Sequence, residues 1–267
     1  MAGNIVISQI NGGPIGVINA TINGNFQINQ RGVSGTVTLA AGAYGHDRWK
    51  AGASGCTYTF ATVNNVTTLT ISAGSLIQVI EGLNLYSGTY TLSWTGTAQG
   101  KIGAGSYSGS GVTGSVTGGT NLNIEFGTGT LSLVQFEPGV EASPFERRDY
   151  GRELMMCQRY FLPLFTPTAN AYQNVCSIYS TTAAYLNVTY PVEMRAAPTI
   201  FNNAMVVNVA TASNSAVASF GSAFPSTRAC GVQLTRTSGA AFTGGNAGHV
   251  DIVGGTAGGS LFASAEL

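Results

Sequence analysis

The chain has 267 residues, enough for one large domain or two modest ones. Only 8% of them are charged and the formal net charge is zero, against about 25% charged in an ordinary soluble domain. That balance excludes non-specific binding to nucleic acid, which needs a surplus of Lys and Arg to neutralise phosphates. It favours a surface covered by sister subunits or by a larger particle.

Residues 1–20 are polar and weakly patterned, and Gly12-Gly13-Pro14 breaks any regular element. They read either as an attachment arm, ordered only against a partner, or as a plain edge strand and turn. The opening MAGNIVISQINGG lacks a basic start and a continuous apolar stretch. No run approaches the roughly 18 apolar residues of a membrane span. The expectation is a protein assembled in a cytoplasm.

Residues 21–142 read as a β-sandwich of jelly-roll type, with strands at 36–40, 57–62, 66–72, 76–80, 89–95, 121–126 and 130–136. In the fifth of these, Tyr90, Leu92 and Trp94 share one face and Thr91, Ser93 and Thr95 the other. Residues 101–120 are so rich in Gly and Ser that they read as a flexible loop. That run contains a formal G-x-G-x-x-G, Gly109 to Gly114. Without a strand before it or a helix after it, no helix N-terminus is there to hold a phosphate.

Residues 143–163 are the one stretch with helical spacing. They hold seven of the 22 charged residues. Tyr150, Leu154, Cys157 and Phe161 recur on one face. Ser143 with Glu146 has the form of a capping box, Pro144 suits the first helical position, and Pro163 ends the element. The fold class that follows is all-β: two β-sandwich domains joined by one short amphipathic α-helix. The charges of this stretch (Glu146, Arg147, Arg148, Arg152, Glu153, Arg159) read as inter-subunit ion pairs rather than a solvated face, since the rest of the chain has so few. Residues 164–267 read as a second, smaller β-sandwich and the distal domain. Its strands are expected at 183–190, 199–209, 230–236, 250–253 and 261–265, and its loops at 211–215, 224–227 and 237–248.

Residues suited to catalysis are few. There is no G-x-S-x-G elbow, and His46 and His249 are the only imidazoles. His46 precedes Asp47, but neighbours on a strand face opposite ways. Cys56, Cys157, Cys176 and Cys230 are scattered with no C-x-x-C pair, which predicts four buried thiols and no zinc. Asp47, Glu81, Glu125, Glu137 and Glu141 leave a carboxylate pair for glycoside hydrolysis open, but Glu137 and Glu141 flank a Pro-Gly turn. The expectation is no enzyme, no cofactor and no metal. Trp49 and Trp94 read as core aromatics, and Arg31 as a residue that fixes chain entry by hydrogen bonds. For contact with a ligand, the loop residues Tyr107, Phe224, Arg228 and Phe242 are the candidates, because Gly/Ser-rich loops present side chains at a tip.

Five landmarks in order resemble a known family. The segment SPFERRDYGRELMMCQRYF resembles the PFE-R-x-Y-x-x-EL-x-x-CQRYF stretch found midway in tail-fibre proteins of tailed bacteriophages and prophages. Residues 24–32, GNFQINQRG, resemble the family's NGNF-x-I-x-QRG opening. Asp47-Arg48-Trp49 is similar to its DRW, residues 194–199 to its MRAAPT, and Ala265-Glu266-Leu267 to a common ending. The resemblance implies a receptor-binding virion protein that acts as a homotrimer. Its first domain would be a carbohydrate-binding jelly roll. An N-terminal arm would engage other tail proteins, and loops would touch host polysaccharide or lipopolysaccharide. A head fibre or capsid decoration, or a polysaccharide depolymerase, are the alternatives it leaves.

Overall fold

The computed structural model describes residues 19–165, 172–203, 207–210, 214–236, 241–252 and 260–267. They form an all-β protein with one α-helix. The chain divides into two compact units, Met1–Gln27 with Val33–Arg148, and Ile28–Gly32 with Asp149–Leu267. The boundary at Arg148 falls inside the stretch expected to be a linker, so the helix belongs wholly to the second unit.

The first unit is an antiparallel β-sandwich of eight strands: β1 (Val37–Leu39), β2 (Lys50–Val63), β3 (Val66–Ile80), β4 (Gly88–Thr95), β5 (Gly100–Ile102), β6 (Val112–Val116), β7 (Leu122–Phe126) and β8 (Gly129–Pro138). Two strands expected at 66–72 and 76–80 are one long strand. β3 pairs with β8 through Leu69–Ile71 and with β7 through Leu76–Ile80, so it changes neighbours halfway. β8 does the same, leaving β3 for β4. Strands that switch partners this way turn a sheet back over its own core. The turn has a cause in the sequence. At Gly74 (φ +71°) a Cβ would stand 2.0 Å from the carbonyl oxygen of Gly55 (φ +79°), so only paired glycines let β2 and β3 bend together. The core behind them includes Trp49, Tyr58, Leu69, Phe126 and Phe136, all buried.

The Gly/Ser-rich stretch 101–120 is not simply a loop. It contains the end of β5 and all of β6, which pairs with β4 from Leu92↔Val112 to Gly88↔Val116. Glycine composition hid this strand. At Gly114 a Cβ would meet Ile102 Cδ1 at 3.1 Å, so the missing side chain is what lets Ile102 pack there.

The irregular segment from Asn19 to Phe26 is buried in the same unit apart from half-buried Ala20, so Asn19 is an interior residue and Ala20 packs against the core; residues 1–18 lie outside the described residues. Side chains supply the hydrogen bonds that a ladder would otherwise give. Gln78 exchanges a pair with the Ile22 backbone, at 2.8 and 2.7 Å. Asn19 donates to Val134 O and accepts from Phe136 N. Asp47-Arg48-Trp49 closes on this segment: Asn23 Nδ2 donates to Asp47 O at 3.0 Å, and Trp49 Nε1 donates to Asn23 O at 3.0 Å. Arg48, 1% exposed, donates to Val79 O at 2.7 Å. Asn23, Phe26 and Arg48 all have positive φ, between 54° and 71°. Gly24 is required because a Cβ there would lie 2.2 Å from Val134 O. His46 is also interior, with Nδ1 2.9 Å from Tyr58 Oη and its ring edge-on to Phe60. Burial pushes its pKa down to about 4.

The expected capping box does other work. Ser143 Oγ donates to Glu137 at 2.6 Å, and Glu146 accepts from the Asn19 backbone at 2.7 Å. Helix α1 (Tyr150–Gln158) starts seven residues later, with Asp149 accepting from Arg152 N at 3.0 Å as its N-cap. Its buried residues are Glu153 and Cys157, while Tyr150 is 60% exposed and Phe161 is not helical, so the expected apolar face is not formed. The helix ends at Gln158 without help from Pro163. That proline sits in the edge strand β9 (Phe161–Phe165), where a missing N–H is tolerated. Two of the charges expected to pair between subunits, Arg148 and Glu146, are engaged within the first unit. Arg148 donates to Thr21 O and Asn19 O inside the first unit, and Glu146 is 3.5 Å from it.

In the second unit six antiparallel strands close into a barrel in the order β10 (Tyr172–Ile178), β11 (Ala183–Thr189), β15 (Ala229–Arg236), β14 (Asn214–Pro225), β13 (Val207–Ala210), β16 (Ala247–Ile252). A separate three-stranded sheet runs β12 (Thr199–Asn203), β17 (Ser260–Ser264), β9. Closure, rather than two facing open sheets, removes the edges of this six-stranded sheet. Its core joins barrel residues such as Leu186, Val232 and Leu234 to Leu162, Met194 and Leu261. The expected loops at 211–215, 224–227 and 237–248 are partly strand. Asn214–Pro225 is β14, and β16 begins at Ala247; residues 211–213 and 237–240 lie outside the described residues.

Remaining landmark residues meet in this unit. Arg31 pairs with Glu266 at 3.0 Å and lies 3.7 Å from the Phe161 ring centroid. Gln30 Nε2 donates to Phe161 O at 2.9 Å. Arg195 donates to Ala265 O and Glu266 O at 2.8 and 3.2 Å, while its own N–H reaches Arg159 O at 2.8 Å. All four cysteines are buried thiols outside any disulfide.

Candidate functional site

Strand alternation on β7 turns Ile124 and Phe126 into the core and leaves Glu125 on the outer face. β5 pairs with β7 on one side, which sets Lys101 directly opposite Glu125. β3 pairs on the other side, and Ser75 approaches from there. Three donors converge on the one carboxylate. Ser75 Oγ donates to Oε1 at 2.6 Å, Tyr107 Oη donates to Oε1 at 2.9 Å, and Lys101 Nζ lies 2.9 Å from Oε2. Gly52 makes this possible, because a Cβ there would stand 2.0 Å from Ser75 Oγ.

Tyr107 comes from the β5–β6 loop and is 40% exposed. Two contacts fix its ring: the bond to Glu125, and the Lys101 ammonium 4.9 Å from the ring centroid. Burial raises the phenol's pKa, and the hydrogen bond and negative charge of Glu125 add to it, to about 12. Burial works against ionisation of Glu125, but the bonds from Ser75, Lys101 and Tyr107 outweigh it and hold the carboxyl below its ordinary value. A carboxyl held low is a fixed acceptor, the opposite of the raised pKa that suits a general acid.

Tyr107 forms one wall of an open groove of about 360 Å³, completed by Thr97, Gln99, Gly127 and Thr128. Gln99 and Thr128 are exposed, and among the described residues their side chains make no hydrogen bond to the protein. Thr97 Oγ1 is 3.2 Å from Thr130 Oγ1. A second groove, of about 350 Å³, is walled by Ile102 at the end of β5 and residues 103–106 of the same loop together with Val112, Thr113, Gly114, Ser115 and Leu122.

The other candidates fare differently. Phe224 is 83% exposed at the end of β14, and Arg228 lies in the turn to β15, where it donates to exposed Glu193 at 3.0 Å. These two share one hairpin, since Phe224 pairs with Gly231. Phe242 is 2% exposed and packs in the core with Cys176, Leu234 and others, so it is not a loop-tip contact; its N–H is bound to Thr181 O. An aromatic in a Gly-rich segment reads as exposed when the pocket beneath it is invisible in sequence. Of the carboxylates weighed for hydrolysis, Glu137 is committed to Ser143 and Gln135, and Glu81 is buried at the start of a 3-10 turn.

Sequence reasoning missed Ser75, Lys101 and Gln99. The available signal was a Lys and a Glu at matching cross-strand positions, which shows only once residues 100–102 are recognised as a strand. Among the described residues no group of three His, Cys, Asp or Glu side chains comes together. No protein-family model, curated protein or solved structure matches the chain.

Proposed function

We propose that the protein is a virion adhesin, a tail-fibre or tail-tip component that acts as a homotrimer and holds a host surface glycan without transforming it. The Tyr107 groove carries this reading. An aromatic ring locked in place beside a shallow row of hydroxyl and amide groups is suited to the alternating C–H faces and hydroxyl edges of a sugar. Support for the family reading comes from its five sequence landmarks, whose residues are used as structural keystones within the two units. Support for self-association comes from large apolar side chains left exposed on a charge-poor surface: Leu83 and Tyr86 at 81%, Tyr179 at 74% and Phe224 at 83%. Weak single-site contacts gain strength when copies bind together.

The test is competition. Purified protein added to host cells should block adsorption of its own virion, and antibody label should decorate the tail. Label on the capsid would place the protein as a head fibre instead. Light scattering should give three times the chain mass; a monomer at micromolar concentration would defeat the trimer. Host polysaccharide shortened by the pure protein would defeat the binding-only reading.

A further inference from the structure

We infer that the Tyr107 groove selects a neutral pyranose, stacked on the tyrosine ring, over sugars that carry a carboxylate or phosphate. This rests on the glycan-binding reading above and adds the chemical class of the ligand. The charge at the site decides it. Lys101 and Glu125 are the charged side chains of the cluster, and they neutralise each other at 2.9 Å. The groove wall itself, Thr97, Gln99, Tyr107, Gly127 and Thr128, is uncharged, and the ion pair is linked to it through Tyr107. An anionic sugar would find no uncompensated cation, and it would compete with Glu125 for Lys101 in the face of like-charge repulsion.

Hydrogen-bonding capacity agrees. A sugar hydroxyl both donates and accepts, and so do the Gln99 amide and the Thr128 hydroxyl that stand without a protein partner among the described residues. Glu125 lies outside the wall and accepts three bonds of the roughly four it can take, one of them from Tyr107. The ring is held before any ligand arrives, so its ordering cost is not charged against binding. The groove volume, about 360 Å³, falls within the about 300–1,000 Å³ of small-ligand sites.

The experiment uses the full chain on a printed array of neutral and acidic bacterial glycans, with Tyr107→Ala and Glu125→Gln beside the native protein. Bound spots should be neutral. Tyr107→Ala should weaken them at least about tenfold, equivalent to about 1.4 kcal/mol. Glu125→Gln leaves Lys101 uncompensated and should move preference toward acidic spots. Tryptophan fluorescence checks that each variant is folded. Native protein that prefers acidic glycans overturns the inference. So does neutral binding untouched in folded Tyr107→Ala, or a Glu125→Gln variant with unchanged preference. Native protein that binds no glycan, yet still blocks adsorption of its virion to cells, sinks the sugar class while the adhesin reading survives; failure of both sinks the two together.

Discussion

The Asn23–Trp49 cluster and the Tyr107 cluster lie in the same unit and are built in opposite ways. In the first, every named partner is backbone: Asn23 to Asp47 O, Trp49 to Asn23 O, Arg48 to Val79 O. Its side chains are buried and hold three residues at positive φ. In the second, side chain meets side chain at a half-open surface, and the backbone beneath is ordinary ladder. Side chains that replace missing ladder bonds have almost no freedom to change. Side chains that shape a surface on a finished sheet have much. The landmarks of the resemblance fall on the first cluster and not on the second.

Removing a keystone should therefore cost far more than removing a surface group. Trp49→Ala deletes a fully buried indole that packs 4.9 Å from Phe26 and bonds Asn23, and should destabilise the first unit by about 3–5 kcal/mol. Both tryptophans, Trp49 and Trp94, belong to this unit, so denaturation followed by the fluorescence of Trp94 reads it directly. A loss as small as that of an exposed residue would erase the contrast. In the second unit the matching variant is Arg31→Ala. It removes a charge-assisted hydrogen bond to Glu266, whose side chain is 6% exposed, and should cost about 2 kcal/mol. Hydrogen exchange along β9 and β17 would register it.

The sequence foretold the all-β class and the strands with clean alternation, such as β4, because a pleat with one buried face writes its period into the residues. It also foretold the buried tryptophans. It misplaced the helix start, because Ser143–Glu146 imitates a capping box while Ser143 bonds Glu137 and Glu146 accepts from the buried Asn19 backbone. It lost β5 and β6, because glycines chosen for close packing carry no strand signal. It located Tyr107 but not its supports, since Ser75, Lys101 and Glu125 are 50 residues apart at the extremes and are gathered only by pairing of β3, β7 and β5.

Acid separates the clusters further. His46 has its pKa lowered to about 4 by burial, from about 6.5 in an unfolded chain. As pH falls through that window the unfolded chain takes up a proton that the folded one refuses, so stability present above pH 6.5 is lost toward pH 4. The first unit should weaken in that range, and His46→Gln should flatten the dependence. Glu125, held below its ordinary value by its donors, gives up its charge later on acidification than a free carboxyl, so a ligand held by the groove should outlast the first loss of stability. Glycan binding that fades well before fluorescence reports unfolding would contradict this.

The smallest effects test the surface directly. Gly52→Ala should push Ser75 Oγ off Glu125, removing one hydrogen bond of about 1 kcal/mol. The Glu125 carboxyl should then titrate higher, because it has lost a donor that favoured its charged form; an NMR titration would show the upward shift. Arg228→Ala should do less still. Its partner Glu193 is solvent-exposed, and Arg228 itself is 78% exposed at the side chain, so water replaces the lost ion pair almost fully. Thr227 keeps its own bond to Glu193 at 2.9 Å, so the turn retains a tie without the arginine. The melting curve of the second unit should be unchanged within error, whereas the Glu193 carboxyl, held low first by its bond to Arg228, should return toward its ordinary value. A large loss of stability would mean that the hairpin bearing Phe224 and Arg228 is covered rather than open to solvent, and under the proposed trimer would put the contact between copies at that face of the barrel.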